Sequence, residues 1–231
     1  MNDVTIIIPC GGHHGQFVGE AVDSAIAAGA DNIIVVDDKS CPPVDLKRFK
    51  SVIVSCPVDH IGRSAARNIA ISLAMTKWLY FLDADDWMEP TAISDFRTIL
   101  DQCDSEPQMI YADYHYRTEG DPDHLILVKK AEFMRKRWDT RNLVNIGMFV
   151  KCDRFKLIGG FDEDVSMGEY WDFFLKYTAN PKITVYKHSR PFFIARANGS
   201  VHPDPKRALM VGSRKIACLI KAGYYLPWRD I

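Results

Sequence analysis

Apolar and polar positions follow two periods along this chain. Val4 to Ile8 is an unbroken apolar run closed by Pro9, the pattern of a strand buried on both faces. The loop Cys10-Gly11-Gly12-His13-His14-Gly15 follows. Phe17 to Ala28 then carries apolar residues at helical spacing, with Gly29 as its expected cap. Ile33 to Val36 reads as a second buried strand, closed by Asp37-Asp38-Lys39-Ser40, and Ser51 to Val54 as a third. Ser64 to Met75 reads as a helix, and Trp78 to Leu82 as a fourth strand ending in Asp83-Ala84-Asp85-Asp86. Strand and helix alternate through these first ninety or so residues, which predicts an α/β fold with a mostly parallel sheet and helices on both faces. Ligands of such sheets bind outside the carboxyl ends of the strands, where these glycine and aspartate segments fall.

The second half is less regular. A helix is expected from Thr91 to Leu100 behind Pro90. Strands are expected at Met109 to Arg117, Leu125 to Val128, Met148 to Lys151, Ile183 to Tyr186 and Phe192 to Ala195. Glu169 to Tyr177 reads as an aromatic-rich helix and Lys206 to Lys221 as a terminal one. Residues 129–141 hold six basic and two acidic residues. That imbalance suits either a solvated face or a surface for an anionic acceptor.

Composition adds exclusions. With 231 residues, 29 Lys+Arg against 30 Asp+Glu and 47% hydrophobic residues, the chain reads as an ordinary globular one. It lacks the charge excess needed to coat nucleic acid or anionic membrane. No run of eighteen apolar residues is present. The start MNDVTIIIPCGG lacks the basic opening and long apolar stretch of a secretion signal. The six scattered cysteines form no CxxC pair. These features predict a cytoplasmic protein with reduced thiols.

Chemistry concentrates in a few segments. Successive carboxylates at a strand end, as in Asp83-Ala84-Asp85-Asp86, repel one another unless a cation neutralises them. Mg²⁺ or Mn²⁺ suits such a site when substrate phosphates complete the shell. Asp37 and Asp38 can accept hydrogen bonds from a base or ribose, or can simply staple a turn. The loop 11–15 nearly matches a dinucleotide fingerprint, but Cys10 stands where its first glycine belongs; its two histidines read as exposed loop residues. Arg63 and Arg67, four apart near a helix start, favour an anion. Glu169 and Asp172 share a helical face and can serve as a base or complement the helix dipole. His202 sits in a Pro-rich loop.

The order of these segments resembles the family 2 glycosyltransferases, which have the GT-A fold. The matching stretches are IIIPCGG, VVDDKS, GRSAARN, YFLDADD with Pro90, GGFDE, EYWDFFLK and IARANGS, covering residues 4–200. The resemblance implies one GT-A domain over 1–231, with residues 1–90 binding the nucleotide sugar and 91–231 facing the acceptor. It implies a donor pocket of Pro9, Cys10, Gly11, Asp38, Arg63, Arg67, Asp83 and Ala84, with Asp38 on a base that is usually uracil. Asp85 and Asp86, with His202, would hold Mn²⁺ or Mg²⁺ on the diphosphate. It further implies inverting transfer from a nucleotide-diphosphate sugar, most directly a UDP-sugar, to a hydroxyl on a glycan, a lipid-linked acceptor or a modified nucleic acid. The family's base is usually the Asp of Glu-Asp, a position held here by Tyr170. Glu169 is therefore the expected base, with Asp172 second. Asn198 stands near where a family histidine often lies. The rivals are a Rossmann oxidoreductase, supported by the glycine loop and Asp37/Asp38, and a glycosyltransferase scaffold that binds donor without transfer. A nucleotidyltransferase would carry a basic residue in the first loop, which here has only histidines.

Overall fold

The computed structural model describes residues 3–47, 49, 52–118, 123–134, 146–165 and 168–197. His202, Asn198, the expected terminal helix and the basic residues 135–141 lie outside them.

A seven-stranded sheet forms the centre. Its strands are β1 (Val4–Gly11), β2 (Asn32–Asp38), β3 (Val52–Ser55), β4 (Trp78–Phe81), β6 (Met109–Ala112), β9 (Met148–Lys151) and β10 (Val185–His188), in the order β10-β6-β9-β4-β1-β2-β3. The β3-β2-β1-β4 block is parallel, as the alternation of strand and helix predicts. β9 enters antiparallel between β4 and β6. The helices are α1 (Val18–Ala27), α2 (Gly62–Leu73), α3 (Ala92–Gln102), α4 (Cys152–Leu157) and α5 (Glu169–Thr178). Helix α1 ends as expected: Gly29 and Ala30 N–H return to the Ile26 and Ala25 carbonyls.

β1 is buried on both faces, and its residues alternate between two cores. Ile6 and Ile8 pack with Val22, Phe96 and Phe149 on one side. Ile7 packs with Ala66, Phe81, Phe155 and Phe173 on the other. This explains the unbroken apolar run. The strand does not stop at Pro9. It continues to Gly11, with Pro9 paired to Val36 and Gly11 to Asp38. Ile7 C=O accepts the Leu82 N–H on the β4 side. Pro9, two residues on, turns its missing N–H to that same side, beyond the last β1–β4 pair at Ile7–Phe81. β1 and β2 therefore reach past β4 and build the rim.

The strand expected from Met109 to Arg117 is two strands in different sheets. It breaks at Asp113, whose buried carboxylate takes the Lys130 N–H (2.8 Å) and the Lys187 ammonium (3.1 Å) while its carbonyl accepts the Phe192 N–H. Beyond the break, β7 (Tyr114–Arg117) joins a smaller mixed sheet, β5-β11-β7-β8, with β5 (Trp87–Met88), β8 (Leu125–Val128) and β11 (Phe193–Arg196). No helix among the described residues is long and apolar enough to cross a membrane.

Lys130 is buried where the two sheets meet. Its ammonium donates to the Ile146 carbonyl (3.1 Å) and lies 5.5 and 5.2 Å from the Tyr114 and Phe193 rings. Burial pulls its pKa down to about 7, against the attraction of Asp113. Above that pH the unfolded chain keeps this proton while the folded chain releases it. Stability therefore rises with pH from about 7 to about 10, by at most about 1.4 kcal/mol per unit, and the contribution is flat below. Urea unfolding at pH 7 and pH 9 is expected to show this rise, and Lys130→Met to lose it. An equal rise in both proteins would assign it to another group.

Candidate active site

The carboxyl ends of β1, β2 and β4 open onto a cavity of about 570 Å³. β1 contributes Pro9, Cys10 and Gly11, and β2 contributes Asp38. α2 contributes Arg63 and Arg67, and the turn after β4 contributes Asp83, Ala84 and Asp85. The structure thus brings together every residue expected at the donor, plus Asp85. It does not bring in Asp86, Glu169 or Asp172, which are not part of the cavity lining.

The two neighbouring aspartates of β2 bind different backbone segments. Asp37 staples the following loop, accepting the Ser40 and Val44 N–H groups. Asp38 faces the cavity, and its two carboxylate oxygens accept the Ile61 and Gly62 N–H groups at 2.7 and 2.8 Å. A side chain from the sheet thus caps α2, a helix whose own N-cap residue supplies no side-chain bond. His60 stands at the cavity with Nδ1 3.0 Å from Asp38.

Helix α2 then presents Arg67, which is 1% exposed. Its guanidinium reaches Asp83 at 2.8 Å and Glu169 at 3.2 Å, and lies 4.5 Å from the centre of the Tyr170 ring. Burial opposes its charge, but Tyr170, Asp83 and Glu169 more than offset this and hold it firmly protonated. Glu169 Oε1 also meets Arg63 Nε at 3.3 Å. Burial pushes the Tyr170 hydroxyl well above its ordinary value, so this tyrosine stays a phenol. The next residue, Asn68, clamps the GGFDE segment: its amide N–H groups reach the Phe161 carbonyl and Glu163 at 2.9 Å, and its Oδ1 accepts the Phe161 N–H. Gly160, at φ +80°, lies so close that a Cβ there would sit 2.6 Å from Asn68 Oδ1. This clamp places Glu163 and Val165 on the cavity wall, a contribution from the second half that sequence reasoning missed. Paired GRSAARN and GGFDE motifs were its only signal.

Asp85 and Asp86 part company. Asp85 enters the cavity; burial and the charge of Asp83 raise its pKa, against His14 and Arg196. Asp86 is buried, accepting the Arg196 N–H at 2.9 Å. Burial first, then Asp83 and Asp85, raise it strongly. Arg196 also donates from Nε to the Asp85 carbonyl (2.8 Å) and pairs with Glu20 (2.7 Å), its guanidinium lying 3.9 Å from the Trp87 ring centre and 4.5 Å from that of Phe17. β11 therefore buttresses the acidic turn. Asp172, the second candidate base, is fully buried and paired with Lys176 at 2.8 Å. Burial pushes the Cys10 thiol up to about 12, so it lines the cavity as a neutral group.

The donor set at this rim fits a hard divalent ion. Asp83 and Asp85 offer carboxylates with mutual repulsion to relieve. Among the described residues, no group of three or more acidic, histidine or cysteine side chains is placed to hold an ion unaided. Such a site suits an ion whose shell is completed by substrate phosphates.

Sheet order, helix placement and a cavity at the strand ends define the GT-A glycosyltransferase architecture. The chain matches Glycosyl transferase family 2 over residues 5–157, and it belongs to that family. It is 25% identical over 197 residues to WcaA of Escherichia coli (strain K12), named for a glycosyl transferase of colanic acid biosynthesis, covering 81% of this chain and 68% of that protein. An uncharacterized glycosyltransferase of Haemophilus influenzae is 26% identical over 172 residues, covering 69% of this chain and 56% of the relative. Among solved structures, S. aureus TarS superposes with a TM-score of 0.69 at 16% identity. That match covers 99% of this chain but 40% of TarS. TarS 1-349 in complex with UDP-GlcNAc gives 0.68 at 18% identity, covering 94% of this chain and 66% of that one. The chain thus spans only part of the length of these proteins.

Proposed function

We propose that the protein transfers a sugar, with inversion, from a nucleotide-diphosphate sugar to an acceptor hydroxyl, and that a UDP-sugar is the donor. The observation that carries this reading is the convergence of Asp38, Arg67 and Asp83–Asp85, from three separate segments, on one cavity at the strand ends. A solved relative in fold with UDP-GlcNAc bound supports the donor class.

In this reading Asp38 meets the base and Asp83 the ribose, while Arg63 and Arg67 face the diphosphate from the start of α2. Asp85 holds the divalent ion. Bound there, the ion would supply Lewis-acid neutralisation of the departing nucleotide diphosphate. Glu169 is the proposed base: among the described residues its ion pairs with Arg63 and Arg67 run through Oε1, and Oε2 is the oxygen assigned to the acceptor's proton. Asp172 stands behind it, tied to Lys176. Residues 1–90 form most of the donor half, with Glu163 and Val165 added from the acceptor half. The acceptor is a hydroxyl-bearing glycan or lipid-linked sugar.

The test is a panel of nucleotide sugars with Mn²⁺, Mg²⁺ or a chelator, scored by release of nucleotide diphosphate. A metal-dependent signal with one UDP-sugar is the expected result. Donor binding without release would instead support a scaffold without transfer. Nicotinamide binding with no response to any sugar nucleotide would favour the oxidoreductase.

A further inference from the structure

We propose that His14 is a protein ligand of the divalent ion at the Asp85 rim, and that the site therefore takes Mn²⁺ in preference to Mg²⁺. The inference rests on the nucleotide-sugar reading above and names which ion serves it.

The geometry is specific. His14 Nε2 lies 3.7 Å from Asp85 Oδ2, and both residues line the cavity. That separation is too long for a hydrogen bond. It lies between the spans that two ligands of one ion adopt: with both bonds near 2.1 Å, the nitrogen and oxygen stand about 3.0 Å apart at a right angle and about 4.2 Å apart when opposed, so a side-chain shift of less than about 1 Å brings both onto one ion. The imidazole is 37% exposed and the carboxylate 20%, so an ion can reach both from the cavity.

The loop that carries His14 is held in place. It forms a 3-10 turn, Gly12–Gln16, between β1 and α1. The Gly12 carbonyl accepts the Cys41 N–H at 2.6 Å, and the His14 carbonyl accepts the Phe17 N–H at 2.9 Å. Gly15 is pressed so closely on the loop after β2 that a Cβ would sit 1.8 Å from the Pro42 carbonyl oxygen. The His13 ring packs beside that of His14, 4.3 Å between centroids, and meets Phe17 edge-on. The backbone bonds that hold this turn do not involve the His14 side chain, which is left facing Asp85 across the cavity.

Ligand chemistry then selects the metal. Mg²⁺ takes oxygen donors and keeps its waters, whereas Mn²⁺ shares that taste for carboxylate and phosphate but, as the first member of the transition-row series, gains more than Mg²⁺ from an imidazole nitrogen. A site of one carboxylate, one imidazole and two phosphate oxygens leans to Mn²⁺.

The experiment uses the full chain with MnCl₂ and UDP, read by electron spin-echo modulation for ¹⁴N coupled to Mn²⁺. The wild-type complex is expected to show imidazole nitrogen. His14→Ala should lose it, while His13→Ala keeps it. Calorimetry should show Mn²⁺ affinity with UDP falling about tenfold or more in His14→Ala. Mg²⁺ affinity should change by less than about twofold. An unchanged thermal melt establishes that the variant is folded. Mn²⁺ bound with UDP but without nitrogen coupling in the wild type would overturn the proposal and leave the donor reading standing, as would equal losses for both ions. Absence of any UDP-linked Mn²⁺ binding would sink the donor reading itself.

Discussion

Arg67→Met is expected to lower folding stability by about 3–5 kcal/mol and to abolish donor binding. Arg67 is the buried cation between Asp83 and Glu169, and Glu169 is itself 5% exposed. Removing one partner of a buried pair costs this much because the other charge is left in a low-dielectric site. Urea unfolding measures the loss, and nucleotide titration measures the binding. Arg67→Lys should not rescue either, because two nitrogens of one fork address two carboxylates and a lysine offers a single point charge. The decisive comparison is Arg67→Met with Glu169→Gln. The double variant removes the buried carboxylate, which Arg67→Met leaves to the more exposed Arg63, and should be more stable than Arg67→Met alone. If it is not, the coupling read from the geometry is wrong. Glu169→Gln alone should lower turnover while nucleotide binding survives, because its proposed work lies with the acceptor.

Local patterns are enough to read most of the first ninety residues. Ile6, Ile7 and Ile8 are all apolar because alternate residues enter two cores, and the strand-to-helix alternation that follows implies parallel pairing. Asp38, Arg67 and Asp83 reach one cavity because parallel strands put all their carboxyl ends on the same edge. What could not be read depends on partners distant in sequence. β9 enters antiparallel between β4 and β6, a placement set by long-range pairing and not by its own four residues. Met109 to Arg117 reads as one strand because the break at Asp113 is made by Lys130 and Lys187, 17 residues or more away. Asp85 and Asp86 look equivalent in a run of acids; in the structure β11 separates them, since the Arg196 backbone N–H binds Asp86. His14 reads as an exposed loop residue until the turn that aims it at Asp85 is seen.

That separation leads to the second large effect. Asp85→Asn is expected to lower metal-dependent transfer by about a hundred- to a thousandfold, while metal-free nucleotide binding changes little. The substitution keeps the side chain's shape. The turn is also held through the Asp85 main-chain carbonyl, which Arg196 Nε binds whatever the side chain carries. Lost turnover would then report the missing charge and not a collapsed rim. Asp86→Asn provides the contrast. Its carboxylate is buried against the β11 backbone, 8% exposed and off the cavity wall. An amide oxygen can still accept the Arg196 N–H, and a buried charge with a strongly raised pKa is removed. Asp86→Asn should therefore keep metal-supported nucleotide binding and melt no lower than wild type, even if turnover drops with a small shift of the turn. Equal loss of metal binding in both variants would mean that the ion bridges the two carboxylates. Asp86 would then have to leave the Arg196 N–H whenever donor is bound, and the acidic turn would be a moving part instead of a fixed rim.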